Sequence, residues 1–231
     1  EEILIRSGNI GSVRIGQKLG IDKYRDFLNK LGLLEKINFD IEEIGEPISI
    51  KWGKCKLVTS SYGHGITTTP IQLISGYAVI SNGGYKIQPT LMYNKNYNKL
   101  NNEKIIKSDV SNKVNSTLRK VVSTETGTAR FANIPGFEVG GKTGTAQKTV
   151  EGKYSDKKIN TFVSIFPMPE PKYALLVLLD EPKANKEYIY NYRDGTNFKY
   201  KGNWRNTAGW TTVWIAGQII DKIGPILATK Y

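Results

Sequence analysis

With 231 residues, 25.9 kDa, 39% hydrophobic and 23% charged, the chain can bury a full core in one or two domains. Its 33 Lys and Arg against 21 Asp and Glu give +12 and a pI near 9.5, which suits an anionic polymer, a membrane surface or nucleic acid. The basic residues are scattered apart from Lys153 to Lys158, however, and favour a generally basic surface over a nucleic-acid footprint. Cys55 and His64 are single, which excludes an internal disulfide framework and a Cys/His zinc site; no other metal site is indicated. No apolar run approaches the ~20 residues that span a bilayer. The chain starts Glu1-Glu-Ile-Leu, without Met or a signal-like segment, so a fragment is expected whose anchor or address lies upstream.

In chain order, Ser7-Gly8-Asn9 precedes apolar positions Ile10, Val13, Ile15, Leu19, Ile21, Tyr24, Phe27, Leu28, Leu31 and Leu33, whose spacing predicts two short helices broken near Gly20, the second capped by Asp22. Ser7 and Asn9 are themselves good caps, and helix capping is their plain reading. Residues 35 to 60 read as short extended pieces punctuated by Gly45, Pro47 and Gly53. Thr69-Pro70 is a strong helix start, with Ile71, Leu73, Ile74, Tyr77, Ala78 and Ile80 as a broad buried stripe that Asn82-Gly83-Gly84 ends. His64, between two glycines, is read as a loop or packing residue rather than a catalytic base.

Residues 85 to 93 are expected to be extended and Asn94 to Asn102 to form a polar loop. A helix from about Val110 to Val122 buries Val114, Leu118, Val121 and Val122 and ends at Thr126-Gly127-Thr128. After a connector at 129 to 136, a strand runs to about Thr149, a polar hairpin turns near Glu151-Gly152, and Ile159 to Pro167 and Tyr173 to Leu179 form two more strands. Residues 183 to 208 read as a long loop, and a helix from about Ala208 to Leu227 buries Val213, Ile215, Ala216, Ile219, Ile220 and Ile223.

The central stretch is Phe137-Glu-Val-Gly-Gly-Lys142-Thr143-Gly144-Thr145-Ala-Gln147. If it is extended, Thr143 and Thr145 share one face, Lys142 takes the other, and Gly144 leaves the backbone bare. Two hydroxyls, free N–H groups and an ammonium suit a carboxylate or a developing oxyanion. The plain alternative is an ordinary turn with a solvated lysine. A sharper rival is a phosphate loop, because Gly136 to Thr143 also fits G-x-x-x-x-G-K-[ST] and Leu175 to Asp180 resembles the strand that holds magnesium in an ATPase. That loop needs Lys-Thr to open a helix within a parallel unit. No helical face follows here, and the connection from Phe166 to Tyr173 is too short for a parallel crossover.

Ser7-x-Asn9, Lys142-Thr-Gly-Thr145 on a strand, an antiparallel meander and a closing amphipathic helix together resemble the serine penicillin-binding proteins. Within them the resemblance is to the class B, division-type transpeptidases that cross-link septal peptidoglycan. It is carried by Ser61-Tyr-Gly-His-Gly-Ile-Thr-Thr-Thr-Pro-Ile-Gln-Leu73, Gly141-Lys-Thr-Gly-Thr-Ala-Gln147, Leu178-Leu-Asp-Glu-Pro182 and Thr207-Ala-Gly-Trp210. The resemblance implies an α/β fold of the α+β type, an antiparallel sheet flanked by helices like that of the serine β-lactamases, with its N-terminal part missing. Residues 1 to 231 would be a partial transpeptidase domain, lacking the Ser-x-x-Lys nucleophile segment and the first strands.

In the complete enzyme the family implies that an upstream serine attacks the penultimate D-Ala carbonyl and an upstream lysine takes its proton. Ser7 would relay a proton beside Lys142, Asn9 would hold the substrate amide, and the Thr145 N–H would form half of an oxyanion hole. Thr143, Gly144 and Thr145 would bind the terminal carboxylate, with Gln147 lining the same groove. The implied partners are D-Ala-D-Ala stem peptides, β-lactams, divisome and glycosyltransferase proteins, with no nucleic acid and no cofactor. The location would be the periplasmic face of the inner membrane. The competing readings are a catalytically inactive module of the same fold and the phosphate-loop ATPase.

Overall fold

The computed structural model describes residues 1–93, 102–150, 153–192, 199–202 and 205–230. These divide into two units, one of residues 1–7 with 115–231 and one of residues 8–114.

The short helix α1, Glu2–Ile5, belongs to the first unit, and the second opens with α2, Asn9–Leu19, and α3, Ile21–Lys30. The break falls at Gly20, whose φ of 83° suits glycine, and Gly20 rather than Asp22 is the N-cap of α3. Asp22 instead sits in the first turn, where a carboxylate complements the helix dipole. Several residues expected in the core remain exposed: Ile10 (74%), Ile15 (58%), Leu19 and Phe27. The expectation of extended pieces up to residue 60 is corrected by helix α4, Lys54–Ser61. It buries Leu57 and Ser60, carries the exposed Cys55, and accepts a hydrogen bond from the Tyr24 hydroxyl on Ser60 O (2.9 Å).

Helix α5, Pro70–Ser81, starts at Thr69 as expected, and a reciprocal capping box joins Thr69 to Gln72. The expected stripe is displaced. Gln72, Ser75, Gly76 and Val79 are the buried positions, whereas Ile71, Leu73, Ile74, Tyr77, Ala78 and Ile80 are only half-buried. Gln72 explains the shift: besides closing the cap, its amide donates to Gly32 O (2.9 Å) and Glu35 O (2.6 Å). Residues 85–93 contribute only a bridge between Tyr85 and Lys104, not a strand. The polar loop expected at 94 to 102 lies outside the described residues but for Asn102.

Helix α6, Ser108–Ser123, enters the first unit with Leu118, Val121 and Val122 buried, while Val114 is half-buried. There follow β1, Gly140–Val150, β2, Lys153–Phe166, and β3, Tyr173–Asp180, an antiparallel sheet in the order β1-β2-β3. The turn expected at Glu151-Gly152 lies outside the described residues. Lys153 to Lys158 belong to β2 rather than to a separate polar hairpin. The middle strand is buried on both faces from Asn160 to Phe166 apart from the half-buried Thr161, as a central strand must be. Register places Thr143 opposite Phe162 and Thr145 opposite Asn160, with an irregularity between Gln147 and Thr149.

Within the expected loop, β4, Ile189–Asn191, pairs with β5, Lys199–Lys201. Helix α7, Thr212–Ala228, follows a 3-10 turn at Ala208–Trp210. It buries Val213, Trp214, Ala216 and Ile220 against Phe162, Phe166 and Val177, with Ile215 and Ile219 partly buried on the same cluster. Ile223, expected inside, is 37% exposed.

Gln72→Leu keeps the helix but leaves the Gly32 and Glu35 carbonyls without their donor, and should lower the unfolding free energy by roughly 1–3 kcal/mol. Thr69→Ala, which opens the same box, should cost about 1 kcal/mol, and the double variant less than the sum. Urea titration of the three variants measures this.

Candidate active site

Strand β1 is an edge strand, paired to β2 on one side only among the described residues. Residues 140–150 are extended, so Thr143 opens no helix and the phosphate-loop reading fails. Asp180, its candidate magnesium ligand, ends an antiparallel strand and is ion-paired to Lys148 at 2.6 Å.

The structure brings Ser7 to Lys142. Helix α1 is held by the buried Ile5 and by an ion pair between Glu1 and Lys120, and Ser7 leaves it with φ of 56°, a left-handed conformation uncommon for a residue with a side chain. Lys142 Nζ donates to Ser7 Oγ at 2.7 Å and to Thr143 O at 2.9 Å. Partial burial pushes the Lys142 pKa down to about 8, because removing an ammonium from water disfavours its charged form. The capping reading of Ser7 and Asn9 is corrected: Gly8 is the N-cap of α2, no side chain caps it, and Ser7 is committed to Lys142 instead. Asn9 is exposed at the first position of α2 and belongs to the other unit.

The two threonines share a face, as alternation requires. Thr143 Oγ1 lies 2.9 Å from Thr128 Oγ1, and Thr145 Oγ1 accepts the Ala208 N–H at 3.0 Å. Across the strand pair, the buried Asn160 donates its amide to Asn206 O (2.7 Å) and Thr211 Oγ1 (2.8 Å), which seats the 206–211 turn beside Thr145. Gly144 stays bare because a Cβ there would fall 2.5 Å from Thr161 Oγ1. Gln147 is exposed and makes one long contact, 3.4 Å, to Ser155 O.

Sequence reasoning passed over Thr128, reading it only as the end of a helix, and passed over the aromatic block behind the turn. Phe131 stacks on Tyr192 (4.5 Å) and meets Trp210 (5.2 Å) and Trp214 (5.4 Å), while Tyr190 packs on the two tryptophans. Arg205 lies over Trp210 at 4.4 Å. The density of Tyr and Trp between 188 and 214 was the available signal. One Ser-x-x-Lys spacing, Ser155 to Lys158, occurs on β2. Residues three apart in a strand face opposite ways, and here Ser155 bonds Lys148 O while Lys158 bonds Asn206, so the two do not form a nucleophile and its base.

Comparison with known proteins gives one answer. The model of the penicillin binding protein transpeptidase domain matches residues 1–196. A probable peptidoglycan D,D-transpeptidase FtsI of Caulobacter vibrioides is 27% identical over 238 residues, covering 99% of this chain and 38% of that protein. Among solved structures, the transpeptidase domain of penicillin-binding protein 3 from Burkholderia pseudomallei superposes with a TM-score of 0.78 at 22% identity, covering 97% of this chain and 63% of that one. Penicillin-binding protein 3 of Mycobacterium tuberculosis, complexed with aztreonam, gives 0.76 at 22% identity over 96% of this chain and 51% of its own. The chain thus spans well under half the length of the FtsI relative, and its mixed helices and antiparallel sheet have the penicillin-binding fold. This chain belongs to the penicillin-binding protein transpeptidase family.

Proposed function

We propose that this chain is the Lys-Thr-Gly part of a division-type peptidoglycan D,D-transpeptidase, which cross-links stem peptides through an acyl-enzyme and is a target of β-lactams. The observation that carries the reading is the 2.7 Å hydrogen bond from Lys142 to a strained Ser7 beside the edge of β1 that is unpaired among the described residues. The names of the FtsI relative and of the aztreonam complex support it.

The attacking serine and its lysine belong to a Ser-x-x-Lys segment outside this chain, so the chain alone does not acylate. Because Lys142 is the donor to Ser7 Oγ, the serine keeps its own proton available. Ser7 delivers that proton to the departing D-Ala nitrogen and receives one from the incoming acceptor amine. The Thr145 N–H contributes to the oxyanion hole, Thr143 and Thr145 hydroxyls hold the terminal carboxylate beside Gly144, Asn9 holds the peptide amide, and Gln147 borders the groove. The Lys142 ammonium and the two threonine hydroxyls suit an anionic ligand. Divisome and glycosyltransferase partners and a periplasmic location on an upstream anchor follow from the same reading. No helix among the described residues is long and apolar enough to cross a membrane.

In the full-length protein, Lys142→Ala should reduce labelling by a fluorescent penicillin at least about a hundredfold, whereas His64→Ala should label almost as wild type. Equal labelling of both variants would put the site elsewhere, and no labelling of the folded wild type would make the protein an inactive module.

The depressed Lys142 pKa sets a pH limb. The charged form is the one that donates to Ser7, so acylation should fall as pH rises through about 8. Lys142→Arg, charged throughout, should lose that limb whatever its absolute rate. Stability runs the other way: between about 8 and 10.5 the unfolded chain holds the lysine proton more tightly, so this group's contribution improves as pH rises across that window. Rate and urea midpoint measured over the same pH series check both signs.

A further inference from the structure

The roles above leave the Thr128 hydroxyl unused. Its backbone is fixed at the end of α6, where Gly127 N–H bonds Thr124 O and Ala129 N–H bonds Val121 O, each at 3.1 Å. Its carbonyl lies against the bare Cα of Gly209, where a Cβ would come within 2.8 Å. Thr128 is half-buried, and among the described residues its hydroxyl has one hydrogen-bond partner, the Thr143 hydroxyl at 2.9 Å.

A hydroxyl pair can be ordered either way, because each member has one proton and two lone pairs. An anion at the edge of β1 settles the direction. Thr143's proton goes to the anion, since a charge-assisted bond is the stronger one, and its Oγ1 then takes a proton from Thr128, which polarises the first bond further. Thr145 is arranged in the same way, with its Oγ1 already accepting the Ala208 N–H, so its own proton is also free for a ligand. With an anion bound, each threonine would receive a donor from a neighbouring turn, Thr145 from the Ala208 N–H and Thr143 from its 2.9 Å partner Thr128, and the two turns meet where Thr128 O abuts Gly209.

We infer that Thr128 is a positioning residue: it donates to Thr143 Oγ1 and so aims the Thr143 proton at the carboxylate of the substrate or β-lactam. The inference rests on the carboxylate role proposed for Thr143.

The test uses full-length protein and two probes, a penicillin with its free carboxylate and the methyl ester of the same penicillin. Thr128→Val, close to isosteric, should slow acylation by the free acid about tenfold, through weaker binding before the chemical step rather than a lower limiting rate. Thr128→Ser should retain most of the wild-type rate, and Thr128→Val with Thr143→Val should be no worse than Thr143→Val alone. With the ester, the Thr128→Val penalty should vanish. A wild-type rate in Thr128→Val beside an impaired Thr143→Val overturns this inference and leaves the carboxylate role standing; wild-type rates in both overturn that role. Additive losses in the double variant, or an equal loss with the ester, reduce Thr128 to a structural part and overturn the inference as well. Thr128→Ala, held to the same outcomes, serves if the valine variant does not fold.

Discussion

A half-buried ammonium sets the terms for this site. Lys142 is far enough from water to lose part of its hold on a proton, and it is kept in place by two oxygens, the Ser7 hydroxyl and the Thr143 carbonyl. A buried cation without such partners would neutralise or turn outward. The contact joins residues 135 apart in sequence, so it exists only once α1 has docked and β1 has paired. That docking also explains the positive φ of Ser7: the serine turns out of its helix toward the lysine rather than capping the next one.

The second requirement is a strand that shows hydroxyls on one side and bare backbone at its edge. Pairing with β2 supplies it, because the register places Thr143 over the buried Phe162 and Thr145 over the buried Asn160. Asn160 is a fully buried amide in a stretch of β2 that also holds Thr161 and the buried Ser164. Its amide is spent on the 206–211 turn, which in turn gives Thr145 its N–H partner. A hydrophobic residue of similar size would fill the space and lose that attachment.

How much of this could be read beforehand depended on the range of the signal. The meander was legible because the link from Phe166 to Tyr173 is too short for a parallel crossover, and the α5 start because Thr69-Pro70 acts locally. Face alternation put Thr143 and Thr145 together without coordinates. Helix α4 was not legible, since Lys54 to Ser61 has no apolar stripe and is held by Leu57 and by Tyr24 from another helix. The buried face of α5 was misassigned because Gln72 is inside for its hydrogen bonds, which a count of apolar residues ignores. Thr128 and the aromatic block depend on chain segments that meet only in the folded state.

That aromatic block gives the protein an optical property. Trp210 and Trp214 stand among Phe131, Tyr188, Tyr190 and Tyr200 at ring separations of 5.2 to 6.0 Å, and Arg205 covers Trp210. Tyrosines at such separations pass their excitation to indole, and a guanidinium over the ring alters its emission. Trp210 closes the turn whose first residue, Ala208, bonds Thr145. The part of the intrinsic fluorescence that comes from Trp210 and Trp214, over that of Trp52 and Trp204, is thus a built-in gauge of the turn beside the reactive strand, readable without a dye.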